Sequence, residues 1–270
     1  MALILETQET RDNLGACPIP SIDLNADIGE HDGYDFSTDI AILSAISSAN
    51  IACGVHAGSR SVMRRTIALA FERGVSIGAH PSYPDRPGFG RREIGLPTDA
   101  ILASFVEQVE SMMECCELEG ARLRYVKPHG ALYNRAARDE ELAYLIAGLV
   151  LAVDSSLVLL GLSGSSLETA GLRRGVTVAR EAFIDRSYMP DGSLVPRTAD
   201  DAVINDPQLA ASRAIEIVTQ NTLTAIDGSR ITIEADSLCV HGDSTNAIET
   251  VTAARNALEQ AGYAIAPFAR

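Results

Sequence analysis

The chain has 270 residues, of which 46% are hydrophobic and 21% are charged, and its formal net charge is -14. This composition excludes a disordered chain, because it supplies enough apolar side chain for a large core. The acidic balance argues against nucleic acid or an anionic membrane as the main partner, since both attract clustered Lys and Arg. Residues 1–20 lack the features of a secretory signal and no apolar run is long enough to span a bilayer, so we expect a cytoplasmic protein.

Predicted strands and helices alternate along the chain after a polar, turn-rich segment, residues 1–20, which we expect to be a flexible N-terminal extension. The predicted strands are 21–27, 50–53, 75–80, 123–130, 157–162, 175–183 and 231–243. The predicted helices lie near 38–48, 59–73, 98–119, 139–153, 165–173, 207–220 and 246–261. Thr98 or Asp99 is placed to cap the third helix, and Gly120 to end it. This alternation predicts an α/β fold in which residues 21–270 form one parallel (β/α) barrel catalytic domain of about seven strands.

Four of the five histidines follow short apolar runs: His56, His80, His129 and His241. Nearly continuous apolar runs are typical of strands buried on both faces, as in a parallel barrel. In such barrels the active site is built at the carboxyl ends of the strands. One such histidine alone is more often structural, but four imidazoles with pKa values of about 6.5 at strand ends indicate proton transfer or metal binding. The sequence therefore indicates an enzyme.

Polar residues two positions apart share one face of a strand. Three predicted strands carry such residues: Asp23, Asn25 and Asp27; Lys127 and His129; and His241 and Asp243. A carboxylate buried without a partner costs several kcal/mol, so these groups predict a ligand, a metal or a proton-transfer role. We take these seven residues, with His56 and His80, as candidate catalytic residues.

Glu181, at the end of another predicted strand, is a further candidate for a general base, and an ion pair that orders the following loop is the rival interpretation. Three arginines in loops are candidate contacts for a carboxylate or phosphate: Arg91, Arg92 and Arg186. Solvated loop arginines are an equally good interpretation of the first two.

Cys53 precedes His56 closely enough to suggest a thiolate activated by an imidazole, although a buried inert thiol explains it as well. His31 lies in an acidic loop and is predicted to be exposed to solvent.

Six strings in one collinear order carry a resemblance to a known family: IDLNADIGE at 22–30, SANIACGVHAG at 48–58, GAHPSYPD at 78–85, GFGRR at 88–92, VKPHGALYN at 126–134 and VHGD at 240–243. The chain resembles the LamB/YcsF family from about Ser21 to Pro267. The resemblance implies a deformed seven-stranded parallel (β/α) barrel, similar to the glycoside-hydrolase and deacetylase barrels. It also implies the role of the A subunit of a bacterial 5-oxoprolinase, which acts with subunits B and C to convert 5-oxo-L-proline and ATP to L-glutamate, ADP and phosphate.

In that setting Asp27 or Glu181 is expected to activate water, and Lys127 with Arg91 and Arg92 to hold a carboxylate or phosphate. The four histidines at strand ends are expected to move protons or to stabilise an oxyanion. ATP is expected to be used with the partner subunits, because the chain has no phosphate-binding motif ending in Gly-Lys-Ser/Thr. The substrate is expected to be a small lactam.

Two rival functions remain open. A metal-dependent deacetylase or amidohydrolase acting on a small amide or carbohydrate would use Asp27, His56 and His80 as ligands of a divalent metal. A barrel that only binds a ligand or its partner subunits is the second rival, and the ionisable groups at the strand ends argue against it.

Overall fold

The computed structural model describes residues 19–244 and 246–269. These residues form ten strands: β1 (Ser21–Ile28), β2 (Ser48–Ala52), β3 (Ser76–His80), β4 (Leu123–Val126), β5 (Val158–Leu162), β6 (Thr177–Phe183), β7 (Thr222–Thr224), β8 (Arg230–Thr232), β9 (Ser237–Val240) and β10 (Ala264–Ile265). Strands β1 to β6 and β9 lie parallel in that order, and β9 pairs with β1 to close the barrel. The predicted α/β fold with a seven-stranded parallel barrel is confirmed.

The barrel is deformed between β3 and β4, where the pairing register shifts between Ile77 and Gly78. The ring of Tyr125 lies only 2.2 Å from the position that a Cβ on Gly78 would take. A side chain at position 78 would therefore collide with this ring, so the local irregularity depends on glycine.

Eight α-helices surround the barrel in the described part of the chain: α1 (Ser37–Leu43), α2 (Arg60–Glu72), α3 (Thr98–Leu118), α4 (Gly130–Ala136), α5 (Glu140–Val153), α6 (Ser166–Arg174), α7 (Pro207–Gln220) and α8 (Ala247–Gln260). Six of the seven predicted helices match these within two residues. The helix predicted near 38–48 ends at Leu43, because β2 begins at Ser48. The sequence does not predict helix α4, which starts inside the strand predicted over 123–130, because that strand ends at Val126.

Two helix starts show how local sequence sets these bounds. The Ser59 hydroxyl accepts a hydrogen bond from the Val62 N–H (3.3 Å) and caps α2. At α3 the expected caps are wrong: Pro97 occupies the N-cap position, and Thr98 is the first helical residue. The expected end at Gly120 is confirmed by its left-handed backbone, with φ +67°.

The strand predicted over 231–243 is wrong, because it contains two strands with different partners. Strand β8 pairs with β7 as an antiparallel hairpin outside the barrel, whereas β9 enters the barrel between β6 and β1. Between them Asp236 forms an ion pair with Arg180 of β6 (Nε to Oδ2, 3.0 Å), and its N–H donates to the Arg180 carbonyl (2.8 Å). This anchoring redirects the chain from the hairpin into the barrel.

The two faces of β1 have opposite chemistry. Leu24, Ala26 and Ile28 are at most 2% exposed and pack outward in the main hydrophobic core beneath the helices. Asp23 and Asn25 point into the barrel, where they bond to side chains of other strands. The barrel interior is therefore polar, and the apolar core lies between the strands and the helices.

The C-terminal segment closes the amino end of the barrel. The ring of Phe268 packs edge-on against Tyr125 (centroids 4.9 Å apart), and the Ala269 carbonyl accepts a hydrogen bond from Ser76. The predicted extension over residues 1–20 lies outside the described residues, apart from Ile19 and Pro20. Within the described ranges no helix is both long and apolar enough to cross a membrane.

Candidate active site at the mouth of the barrel

The carboxyl ends of five barrel strands bring ionisable side chains to one face of the barrel, as expected. The contributors are Asp27 and Glu30 after β1, His56 after β2, His80 on β3, Lys127 and His129 after β4, and His241 and Asp243 after β9, joined by Glu181 of β6 and by Asp185 just beyond it. Asp27, His56, His80, Lys127 and Glu181 are 4% exposed or less. Such burial of charge requires partners for each group, and those partners define the site.

The three polar residues of β1 occupy successive levels of the barrel interior, as their two-residue spacing predicts. Asp23 is lowest and accepts hydrogen bonds from the hydroxyls of Ser47 and Ser48 (2.6 Å each). Burial raises the pKa of Asp23 to about 6. Asn25 lies above it, and Asp27 lies at the carboxyl end of the strand. The lower two residues line the polar core, whereas Asp27 reaches the site.

Lys127 is the only lysine in the chain, and it lies at the centre of the site. Its Nζ is 2.8 Å from Oε1 of Glu181 and 3.1 Å from Oδ1 of Asp27. Burial works to lower the pKa of Lys127, but the charge of Asp27 and neighbouring acidic groups hold it well above its usual value. Against the effect of burial, Lys127 also holds the pKa of Asp27 well below its usual value. Both groups are therefore charged at neutral pH.

Glu181 is fully buried and both of its oxygens are engaged. Oε1 accepts from Lys127 and from Nδ2 of Asn25 (3.1 Å), and Oε2 accepts from the hydroxyl of Tyr133 (2.7 Å). A carboxylate with this many fixed donors is suited to hold Lys127 in place. The contacts do not favour the general-base role expected for Glu181 from the sequence.

Three histidines form a cluster beneath the loop that contains Phe89. The rings of His56 and His129 stack with centroids 3.9 Å apart, and His80 lies edge-on to both. The carbonyl of Phe89 accepts a hydrogen bond from Nε2 of His129 (2.9 Å), and its ring lies edge-on to His56. Burial lowers the pKa of His56 to about 3 and holds that of His129 well below its usual value.

Phe89 adopts a left-handed backbone conformation, with φ +55°, which is rare for a non-glycine residue. The neighbouring Gly90 has φ +65°, and a Cβ there would lie 2.9 Å from the His129 ring. The loop therefore approaches the histidines closely because these two residues accept unusual backbone geometry.

Glu30 belongs to the histidine cluster, although it is not among the site residues predicted from the sequence. Its Oε1 lies 3.1 Å from Nε2 of His56 and 3.4 Å from Nδ1 of His129. Burial, reinforced by the charge of Asp27, raises the pKa of Glu30 well above its usual value. One potential ligand atom from each of Asp27, Glu30, His80 and His129 lies within 4.8 Å of the others. The metal ligands expected from the sequence share Asp27 and His80 with this set.

His241 is held by Asp185, a residue of the loop after β6 that spacing alone does not connect with it. The Asp185 carboxylate accepts from the His241 N–H (2.8 Å) and from its Nδ1 (3.0 Å). Although burial opposes it, contact with His241 lowers the pKa of Asp185 below its usual value. This carboxylate fixes the ring so that Nε2 is the nitrogen available for proton transfer. The ring stacks on Phe183, with centroids 5.1 Å apart.

Arg91 is the arginine that reaches the mouth. Its Nη2 lies 2.5 Å from Oδ2 of Asp243, and its guanidinium lies 4.7 Å above the Phe89 ring. The Arg91 and Asp243 side chains are 31% and 27% exposed, so a ligand carboxylate can compete for this guanidinium.

The other two predicted anion contacts are engaged differently. Arg92 forms a forked ion pair with Asp85, including a 2.9 Å bond from Nε to Oδ2. Arg186 is buried and donates to the carbonyls of Ala202 (3.1 Å) and Val195 (2.5 Å). Arg186 therefore holds the loop that follows β6, and its guanidinium donors are used by the backbone.

The two possibilities for Cys53 separate in the structure. The thiol is buried, its Sγ donates to the Ile51 carbonyl (3.7 Å), and burial raises its pKa to about 12. These observations favour the inert thiol. The prediction that His31 is solvent-exposed is wrong: its side chain is 28% exposed, pairs with Asp39 (3.3 Å) and packs edge-on against Phe36.

Fold and site together define a parallel β/α barrel of enzyme-like construction, with its acids, bases and cations gathered at the carboxyl ends of the strands. The family model described as the LamB/YcsF family matches residues 22–270. The chain belongs to this family.

Named relatives match nearly the whole chain. A protein of Halalkalibacterium halodurans, named as the A subunit of 5-oxoprolinase, is 46% identical over 245 residues, covering 90% of this chain and 95% of that protein. A protein of Pseudomonas syringae pv. tomato, named as the third A subunit of 5-oxoprolinase, is 44% identical over 250 residues, covering 92% and 98%. The crystal structure of a lactam utilization protein from Thermus thermophilus is similar with a TM-score of 0.86 at 42% identity, covering 92% of this chain and all of that one.

Proposed function

We propose that this chain is the A subunit of an ATP-dependent 5-oxoprolinase, which opens the lactam ring of 5-oxo-L-proline to give L-glutamate together with subunits B and C. Relatives that bear this name support the proposal across at least 90% of the chain. The structural observation that carries it is the Asp185–His241 pair at the mouth. It places a proton-transfer group near the fixed charge of Lys127, whose Nζ lies 5.0 Å from the Phe183 ring on which His241 stacks.

Ring opening requires activation of the lactam, because amide resonance makes its carbonyl carbon a poor electrophile. Transfer of a phosphoryl group from ATP to the lactam oxygen exposes this carbon to water. Water adds, the carbon–nitrogen bond breaks as the nitrogen takes a proton, and a second water hydrolyses the acyl phosphate to glutamate and phosphate. We assign phosphoryl transfer to the partner subunits, since this chain has no phosphate-binding motif.

His241 is the best candidate in this chain for the proton transfers. With Nδ1 held by the Asp185 carboxylate, Nε2 of a neutral ring can accept a proton from water and return it to the ring nitrogen. Asp27 is less suited to this role, because its pKa is held well below the usual range. Lys127 and Asp27 provide fixed charges instead, and Arg91 is placed to bind the substrate carboxylate.

The proposal is tested by measuring glutamate release from 5-oxoproline and ATP with this chain alone and with subunits B and C. We expect release only in the complete mixture. Asp185→Asn should lower turnover by about 100-fold or more, because the amide no longer favours the productive tautomer of His241.

His31→Asn is the matched control, since it removes an imidazole that is also paired with an aspartate but lies outside the proposed machinery. Its turnover should remain close to that of the wild type. No glutamate in any mixture with competent partners would reject the 5-oxoprolinase assignment. Unchanged turnover in Asp185→Asn would reject only the role of the Asp185–His241 pair.

A further inference from the structure

The cluster of Asp27, Glu30, His80 and His129 contains a hydrogen-bonding conflict that the proposed ring opening does not explain. These residues follow or end strands β1, β3 and β4, and their potential ligand atoms converge within 4.8 Å. All four side chains are 7% exposed or less. Their arrangement is therefore set by contacts inside the protein.

Two backbone carbonyls fix the protons on the imidazoles. Nδ1 of His80 lies 2.8 Å from the carbonyl of Lys127, so this nitrogen must carry a proton to donate. Nε2 of His129 lies 2.9 Å from the carbonyl of Phe89 and must also carry one. In neutral rings the remaining nitrogens, Nε2 of His80 and Nδ1 of His129, are both acceptors.

These two acceptors face each other at 2.9 Å. Two lone pairs at this distance repel, so a cation must lie between or beside them. Oδ1 of Asp27 lies 3.4 Å from Nε2 of His80, and Oε1 of Glu30 lies 3.4 Å from Nδ1 of His129. One proton would satisfy a single nitrogen pair, whereas a divalent cation would satisfy both nitrogens and balance both carboxylates.

We propose that Asp27, Glu30, His80 and His129 bind one divalent transition-metal ion of the Zn²⁺ class. Two imidazole nitrogens with two carboxylate oxygens suit Zn²⁺, Co²⁺ or Mn²⁺ better than Mg²⁺ or Ca²⁺, which favour all-oxygen ligands. Hydrogen bonds from the distal ring nitrogens to backbone carbonyls are the usual second layer around histidine ligands. Lys127 and Phe89 provide these carbonyls.

His56 supports the site without being one of its four ligands. Its Nε2 contacts Oε1 of Glu30 (3.1 Å), and its ring covers one face of His129. This contact orients the Glu30 carboxylate toward His129. The ligand set therefore replaces His56, expected from the sequence, with Glu30 and His129.

The proposal is tested on the purified full-length chain, stripped with a chelator and titrated with Co²⁺ and Zn²⁺. We expect one equivalent of either ion to bind, with a visible absorption spectrum for Co²⁺, and Mg²⁺ to compete poorly. His129→Asn and Glu30→Gln should weaken Co²⁺ binding by about 100-fold or more, because each removes a direct ligand. No partner protein, nucleotide or lactam is present, so this result is independent of the proposed function.

His241→Asn is the matched control for metal binding, since it removes an imidazole at the same mouth but outside the ligand set. It should bind Co²⁺ as tightly as the wild type does. Circular dichroism without metal identifies any variant that fails to fold, and Glu30→Gln, at the least buried ligand, then decides. Failure of the wild type to bind either ion, or wild-type affinity in folded Glu30→Gln, would overturn the proposal, and equal binding of Mg²⁺ would overturn the assignment to the Zn²⁺ class.

Discussion

Replacing Lys127 by Met should destabilise the barrel strongly, because it leaves the buried Asp27 and Glu181 carboxylates without their shared cation. Breaking a buried ion pair from one side costs about 3 to 5 kcal/mol of unfolding free energy. Lys127 contacts two carboxylates and is 1% exposed, so we expect the loss in this range. Urea unfolding of both proteins, in the presence of chelator, measures it at about pH 8.

The loss should shrink as the pH falls, and the sign follows from linkage. In the wild type the pKa of Asp27 is depressed by Lys127, which contributes stability above the unfolded pKa that is lost on acidification. In Lys127→Met the folded-state pKa values of both carboxyls rise above their unfolded values, so the variant recovers relative stability as these groups bind protons. The two effects act in the same direction.

A double variant and a spectroscopic measurement sharpen the test. Adding Glu181→Gln to Lys127→Met removes one of the unpaired charges and should recover part of the lost stability. Because Lys127 is the only lysine, isotope labelling of lysine gives a single side-chain signal, which should not titrate at about pH 10.4, the usual value for lysine. A loss below about 1 kcal/mol, or one that does not change with pH, would refute the reasoning.

Two further predictions concern the barrel interior. Burial raises the pKa of Asp23 from 3.8 to about 6, so its contribution to stability is full below about pH 4 and declines as the pH rises through 6. Because Asp23→Asn cannot titrate, its stability relative to the wild type should improve by roughly 3 kcal/mol from pH 4 to pH 7 in urea unfolding, and a pH-independent difference would count against this origin. Gly242→Ala should cost about 1 to 3 kcal/mol or more, because a Cβ there lies 2.0 Å from the Asp27 carbonyl, whereas Gly95→Ala, with open space around it, should be nearly neutral.

The barrel and much of its site were predictable because strand ends in a parallel barrel share one face. Continuous apolar runs followed by polar residues located His56, His80 and His129, and the structure brings them together. Two-residue spacing likewise placed Asp23, Asn25 and Asp27 inside the barrel. These inferences needed only the period of a strand and the parallel direction of its neighbours.

The partners of these residues were not predictable, because they are set by contacts between distant segments. Glu30 lies in a family motif but follows the strand by two residues, where spacing no longer fixes direction. Asp185 and Tyr133 become important only through His241 and Glu181, which are 56 and 48 residues away. The composition did offer one unused signal, since only one of the 22 Lys and Arg residues is a lysine, and it lies at the centre of the site.

The interior of the barrel shows which groups need a functional explanation. Hydroxyls surround Asp23, and Lys127 is shared by Asp27 and Glu181, so these buried charges are compensated within the chain. The facing acceptor nitrogens of His80 and His129 have no such compensation in their neutral forms. Structural demands alone would favour one of these rings turning or being apolar, because an unpaired buried polar group is costly. A cation held there is the simplest physical reason for keeping both imidazoles in this orientation.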